Sequence, residues 1–110
     1  MKLPVSEFDI TDWDAVEPVE YPGDKGKAIW RTVMMGEARI RRVDYSPGYL
    51  ADHWCDRRHV LFVLAGELVC ELADGRTSKL TSGMSYHVSD FGSPAHRSRT
   101  DDGASLFIVD

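Results

Sequence analysis

From Lys27 onward the chain is punctuated by turn-forming residues so often that no segment is left long enough for a substantial helix. Met35-Gly36, Ser46-Pro47-Gly48, Asp74-Gly75, Ser82-Gly83, Phe91-Gly92-Ser93-Pro94 and Asp101-Asp102-Gly103 all carry turn chemistry. Between them lie segments that read as strands: Ala28 to Met34, Glu37 to Tyr45, His59 to Ala65, Glu67 to Leu72, Lys79-Leu80, Met84 to Ser89, His96 to Thr100 and Ala104 to Val109. His59 to Ala65 is nearly continuous in Val, Leu and Phe, as expected of a strand covered on both faces, and Gly66 is expected to break it. Glu67 to Leu72 alternates instead, with Leu68, Cys70 and Leu72 on one side. About eight short strands without a long helix predict an antiparallel sandwich or barrel.

At 110 residues the chain makes a single domain with one core. Residues 1–26 differ from the rest. They are acidic and carry Pro4, Pro18, Pro22 and Gly23, so they read as an irregular arm, with Thr11 and Asp14 placed to start one helical turn. Leu3, Val5, Phe8, Ile10, Trp13, Val16 and Val19 make that arm too apolar for a solvated tail; it is expected to lie across the body 27–110 or across a second subunit. The net charge of −5 argues against a nucleic-acid partner, which requires clustered positive charge. There is no apolar stretch of signal-peptide or membrane-spanning length, so a cytoplasmic protein with no membrane contact is expected. In that reducing setting the two cysteines are thiols or metal ligands rather than a disulfide.

The chemistry concentrates between Gly48 and Gly66. His53 and Cys55 are two apart, so on extended backbone their side chains leave the same face. His59 follows the polar triplet Asp56-Arg57-Arg58 and opens the apolar run. Three ligand-type side chains within seven residues of paired strands point to a metal site.

That stretch resembles the first motif of the cupins: Gly, five residues, His-x-His, three or four residues, Glu, six residues, Gly. Gly48 stands four residues before His53, Cys55 takes the place of the second His, His59 takes the place of Glu, and Gly66 follows after six residues. The second motif is similar to the run from Gly83 through a strand and a Pro-containing loop to His96, with Thr100 where the family often has Asn. The resemblance covers roughly Val43 to Asp110. It is closer to a set of short bacterial cupins named for an Asp-His-Cys-Trp (DHCW) motif, whose four residue types appear here as Asp52-His53-Trp54-Cys55. It implies an all-β double-stranded β-helix, the RmlC-like jelly-roll barrel, with a divalent metal held by His53, Cys55, His59 and His96. Three neutral imidazoles and one thiolate carry the same charge as the usual three His and one Glu, and the thiolate favours zinc, or iron, nickel or copper, over manganese. Ligation by Cys55 requires its deprotonation, so metal binding should weaken as pH falls.

Other residues have competing readings. Tyr86 is expected to face the barrel interior, as a catalytic group donating to a bound ligand or as a core aromatic with a satisfied hydroxyl. His87 on the same strand should face outward. Cys70 reads as a buried, inert thiol. Arg39 and Arg41 share a face opposite Ala38 and Ile40, which predicts a solvated or ion-paired face. Trp54 reads as a packing or subunit contact, and Asp52 as a surface turn residue or a partner orienting a ligand imidazole. Two functional classes remain. One is a metal-dependent enzyme of dioxygenase or isomerase type acting on a small molecule in the barrel; the other is a non-catalytic, zinc-stabilised binding or regulatory module. The outward face of Val60, Phe62 and Leu64, together with the apolar arm, predicts a homodimer.

Overall fold

The computed structural model describes residues 3–4 and 6–110, so Val5 lies outside the described residues. The chain forms eight strands: β1 (Val19–Pro22), β2 (Lys27–Met35), β3 (Ala38–Tyr45), β4 (His59–Leu72), β5 (Thr77–Thr81), β6 (Ser85–Val88), β7 (His96–Arg99) and β8 (Ala104–Val109). The pairing is antiparallel throughout, in the order β1-β2-β3-β8-β4-β5, with β6 and β7 also pairing with β4. Two sheets result, and β4 belongs to both. Its first half pairs with β8 and β6 in one sheet (sheet A), and its second half pairs with β5 and β7 in the other (sheet B).

Gly66 makes that crossing possible. The sequence suggested that Gly66 ends a strand; instead β4 runs through it for 14 residues, with a register shift just before, between Val63 and Ala65. Gly66 sits at φ 78, the left-handed region that glycine enters without steric cost. A Cβ there would press into the Gly103 carbonyl oxygen and come within 2.9 Å of Ala104 Cα. The position is therefore a bulge that bends β4 from one sheet to the next.

The core lies between the sheets. Val43, Leu61, Val63, Leu68 and Leu106 are fully buried, with Ala28, Leu80 and Ile108 around them. Strict alternation places them: Leu61 and Val63 point in, while Val60, Phe62 and Leu64 point out. Among the described residues, Val60, Phe62 and Leu64 thus stay partly exposed rather than covered as expected.

The arm is more ordered at its end than expected. A single 3₁₀ turn spans Trp13–Ala15, with Asp12 as its N-cap accepting from the Asp14 N–H at 3.1 Å. Val19–Pro22 then pairs with β2 as an edge strand, where the sequence read irregular chain. All four residues of β1 are exposed, so neither face leaves a hydrophobic pattern to read. Among the described residues, no helix is long and apolar enough to cross a membrane.

Candidate functional site

Sheet A brings His59, at the start of β4, opposite Val88 on β6, and Leu61 opposite Tyr86. In-register partners share a face, and since Leu61 is buried, His59 and Tyr86 point into the barrel with it. His96 opens β7 in sheet B and is only 4% exposed. The three rings meet: His59 and His96 pack edge to face with centroids 4.8 Å apart, and Tyr86 lies 5.4 Å from His59 and 6.0 Å from His96. The Tyr86 hydroxyl is 2.8 Å from His59 Nε2.

Cys55 reaches the same cluster through its backbone. It forms an isolated antiparallel bridge with His96, each N–H donating to the other's carbonyl oxygen at 2.8 Å. A pair bonded in this way holds its Cα atoms about 5.5 Å apart with both side chains on one face. The half-buried Cys55 thiol therefore projects on the His96 side, toward the interior.

His53 does not join them. The expectation that it shares a face with Cys55 assumed extended backbone, but Asp52 and His53 form a bend. The His53 side chain is 74% exposed, its Nδ1 2.6 Å from the Asp52 carboxylate. That hydrogen bond holds the Asp52 carboxyl below its usual pKa. Of the four expected ligands, His59 and His96 meet ring to ring, Cys55 is held beside His96 through its backbone, and His53 stays outside.

Electrostatics suit ligation by the two buried imidazoles. Burial pulls the pKa of His59 down to about 4, the neighbouring His96 adding to the effect and Asp110 opposing it. Burial lowers His96 as well. Both rings are therefore neutral near pH 7, the state that binds metal. His96 Nε2 is buried without a hydrogen-bond partner among the described residues. A buried polar atom left unpaired costs about 1–3 kcal/mol, and such an atom is free to take a ligand. Among the described residues, no three His, Cys, Asp or Glu side chains stand close enough to hold an ion together. The donor set of imidazole and thiol fits a borderline-soft divalent metal in kind.

Burial drives Tyr86 strongly upward in pKa, with Cys70 contributing, so its hydroxyl keeps its proton. Cys70 is buried and its thiol is likewise pushed up by burial, in keeping with an inert thiol. Beside the cluster opens a cavity of about 180 Å³ lined by Cys70, Leu72, Leu80, Tyr86, Val88 and His96, among others. His87 is exposed, and Trp54 is a surface residue with the Arg97 guanidinium 4.6 Å over its ring.

The arginines of β3 correct a second expectation. Arg41 is 6% exposed and faces inward with Val43, while Ile40 lies on the outer face. Arg41 Nη2 donates to Asp110 Oδ2 at 2.8 Å, Arg39 holds the same carboxylate through Nε and Nη2, and Trp30 lies under the Arg41 guanidinium at 4.3 Å. The pair is ion-paired as expected, but Arg41 is not solvated. The outward Arg42 and Asp44 were the available signal, since they fix the polarity of the strand.

No family model matches the chain, and no curated protein matches it in sequence. Solved structures do. An RmlC-like cupin from Shewanella frigidimarina superposes with a TM-score of 0.70 at 19% identity, covering 94% of this chain and 89% of its own. The polyketide cyclase RemF from Streptomyces resistomycificus gives 0.76 at 19%, covering 94% and 78%. Fe(II)-HppE with an alternative substrate gives 0.74 at 17%, covering 94% and 60%. The two sheets sharing one bent strand define a small jelly-roll barrel with histidines inside it. This is the fold of the cupin structures on which the chain superposes. Solved structures that share the fold thus include a polyketide cyclase and Fe(II)-HppE.

Proposed function

We propose that this protein is a metal-dependent cupin enzyme acting on a small molecule in the barrel, with Cys55, His59 and His96 as metal ligands and Tyr86 as the proton-bearing group beside them. The observation that supports this most is the buried, unpartnered His96 Nε2 facing a neutral His59 next to a cavity. The donor set of two imidazoles and a thiol suits zinc best, with iron or nickel next. A divalent metal held there would supply Lewis-acid or redox chemistry to a bound small molecule.

The chain's own groups have definite tasks. His59 and His96, kept neutral by burial, present ring nitrogens rather than N–H⁺ groups. Tyr86 shares a hydrogen bond of 2.8 Å with His59 Nε2, and with the Tyr86 hydroxyl as donor the His59 proton sits on Nδ1. When Nε2 is engaged otherwise, the Tyr86 hydroxyl is released to donate into the cavity that it lines. Leu72, Leu80 and Val88 give that cavity an apolar wall beside the donor. His53, in the bend, is left out of the ligand set, and a site with three protein donors keeps a position open for substrate, whereas structural zinc sites close with four.

The test is metal content of protein purified without added metal. About one equivalent is expected in the native chain and in His53→Ala, and less than about a tenth of that in His59→Ala and His96→Ala, in line with a catalytic-type site. Retention of full metal by His96→Ala would overturn the ligand assignment. Loss of metal in His53→Ala would instead favour the closed, non-catalytic zinc module.

A further inference from the structure

The cavity that Tyr86 and His96 line has a volume of about 180 Å³. An apolar protein cavity of about 150 Å³ takes up one benzene, so this one holds a body of about seven non-hydrogen atoms. Its wall divides by chemistry. Leu72, Leu80 and Val88 supply an apolar side, and the hydroxyls of Tyr86, Ser78 and Ser93 supply neutral groups that both donate and accept.

Among the described residues no Lys, Arg, Asp or Glu lines the cavity. Two sets of charges lie on strands around it, and both are engaged. Arg97 follows His96 on β7, but alternation turns it to the other face, where its Nη2 donates to Glu71 at 3.0 Å. Arg39 and Arg41 close on the Asp110 carboxylate, and in sheet A two strands, β8 and β4, separate Arg41 from Tyr86. An anionic group on the body of a ligand would lose its hydration against Leu72, Leu80 and Val88, with no cation from the wall to offset the loss.

We propose that the cavity binds a compact neutral molecule the size of a single six-membered ring, carrying one hydroxyl or carbonyl, with its apolar body against Leu72, Leu80 and Val88 and its oxygen at the Tyr86 hydroxyl. This gives the site a substrate class, and it rests on the reading that the barrel acts on a small molecule. Phosphorylated and zwitterionic molecules are excluded by their charge. Fused-ring molecules are excluded by their size.

NMR titration of the full chain with phenol tests this, on protein as purified and again in chelator, near pH 8 where ordinary imidazoles are uncharged. Saturable shifts at Leu80, Val88 and Tyr86 are expected in both samples. In chelator, pivalamide should bind roughly tenfold or more tightly than pivalate, which matches it in size and differs in charge. 2-Naphthol should bind roughly tenfold or more weakly than phenol. Ser78→Trp, a change at an exposed position that fills the cavity, should weaken phenol by a similar factor while keeping the β-rich circular dichroism. The absence of saturable shifts, pivalate binding as well as pivalamide, 2-naphthol binding as well as phenol, or phenol binding unaffected in a folded Ser78→Trp would each overturn the proposal. So would binding that vanishes in chelator, because it would place the ligand on the metal rather than on the wall. A chain that holds no metal and still binds phenol would refute the metal centre and leave this ligand class standing.

Discussion

His59 is held neutral by burial and by His96, at a cost that falls on the metal-free protein. Its folded pKa of about 4 lies below the ordinary 6.5. Between those values the unfolded chain binds more protons than the folded one, so stability falls as pH drops from 6.5 toward 4 and is fully restored above 6.5. Urea denaturation in chelator across this range should show that decline, shallower in His59→Gln; a stability that rises on acidification would contradict it. Arg41 is the second residue whose position carries a cost. Its side chain is 7% exposed and its partner Asp110 11%, so Asp110→Asn leaves a buried cation half-paired. A loss of about 3 kcal/mol is expected from denaturant titration, since removing one partner of a buried pair strands the other. Both residues bear on what the sequence could reveal. The inward placing of His59 and Tyr86 was legible because the strand period sets it, and they meet His96 inside the barrel. His53 was misplaced because a bend at residues 52 and 53 cancels the period of two, and Arg41 because Ile40 was taken as the inward residue.

β4 carries most of the architecture: it contributes His59, both buried core pairs Leu61/Val63 and Leu68/Cys70, and the hinge between sheets. Its two halves were readable as strands, but their continuity was not, because a glycine in a strand signals a break or a bulge equally well. The structure makes it a bulge, and that carries a stability prediction. Gly66→Ala forces an L-residue into φ 78 against the Gly103 backbone. The strain alone should cost about 1–3 kcal/mol, measurable as a lower denaturation midpoint, and an alanine variant as stable as the native chain would show that the bend does not depend on glycine. β1 was missed for a different reason: a short, fully exposed edge strand ending in Pro22 has no buried face to imprint a pattern.

At the scale of the whole molecule, the barrel followed from turn punctuation, because segments this short can bury their apolar faces only by pairing in two packed sheets. What punctuation could not reveal is that Val60, Phe62 and Leu64 on the outer face of sheet A stay partly exposed among the described residues, since a continuous apolar run looks the same whether or not its outer side is covered. The barrel also frames the central proposal: strands from both sheets bring the His59 and His96 rings together, and a backbone bridge holds Cys55 beside His96. X-ray absorption at the edge of the metal that co-purifies with the native chain reads those donors directly. The expected spectrum has sulfur at about 2.3 Å and imidazole nitrogen at about 2.0 Å for zinc, with the sulfur contribution lost in Cys55→Ser. An environment of oxygen alone, or sulfur that persists in Cys55→Ser, would contradict the assignment of Cys55, His59 and His96 as the metal centre.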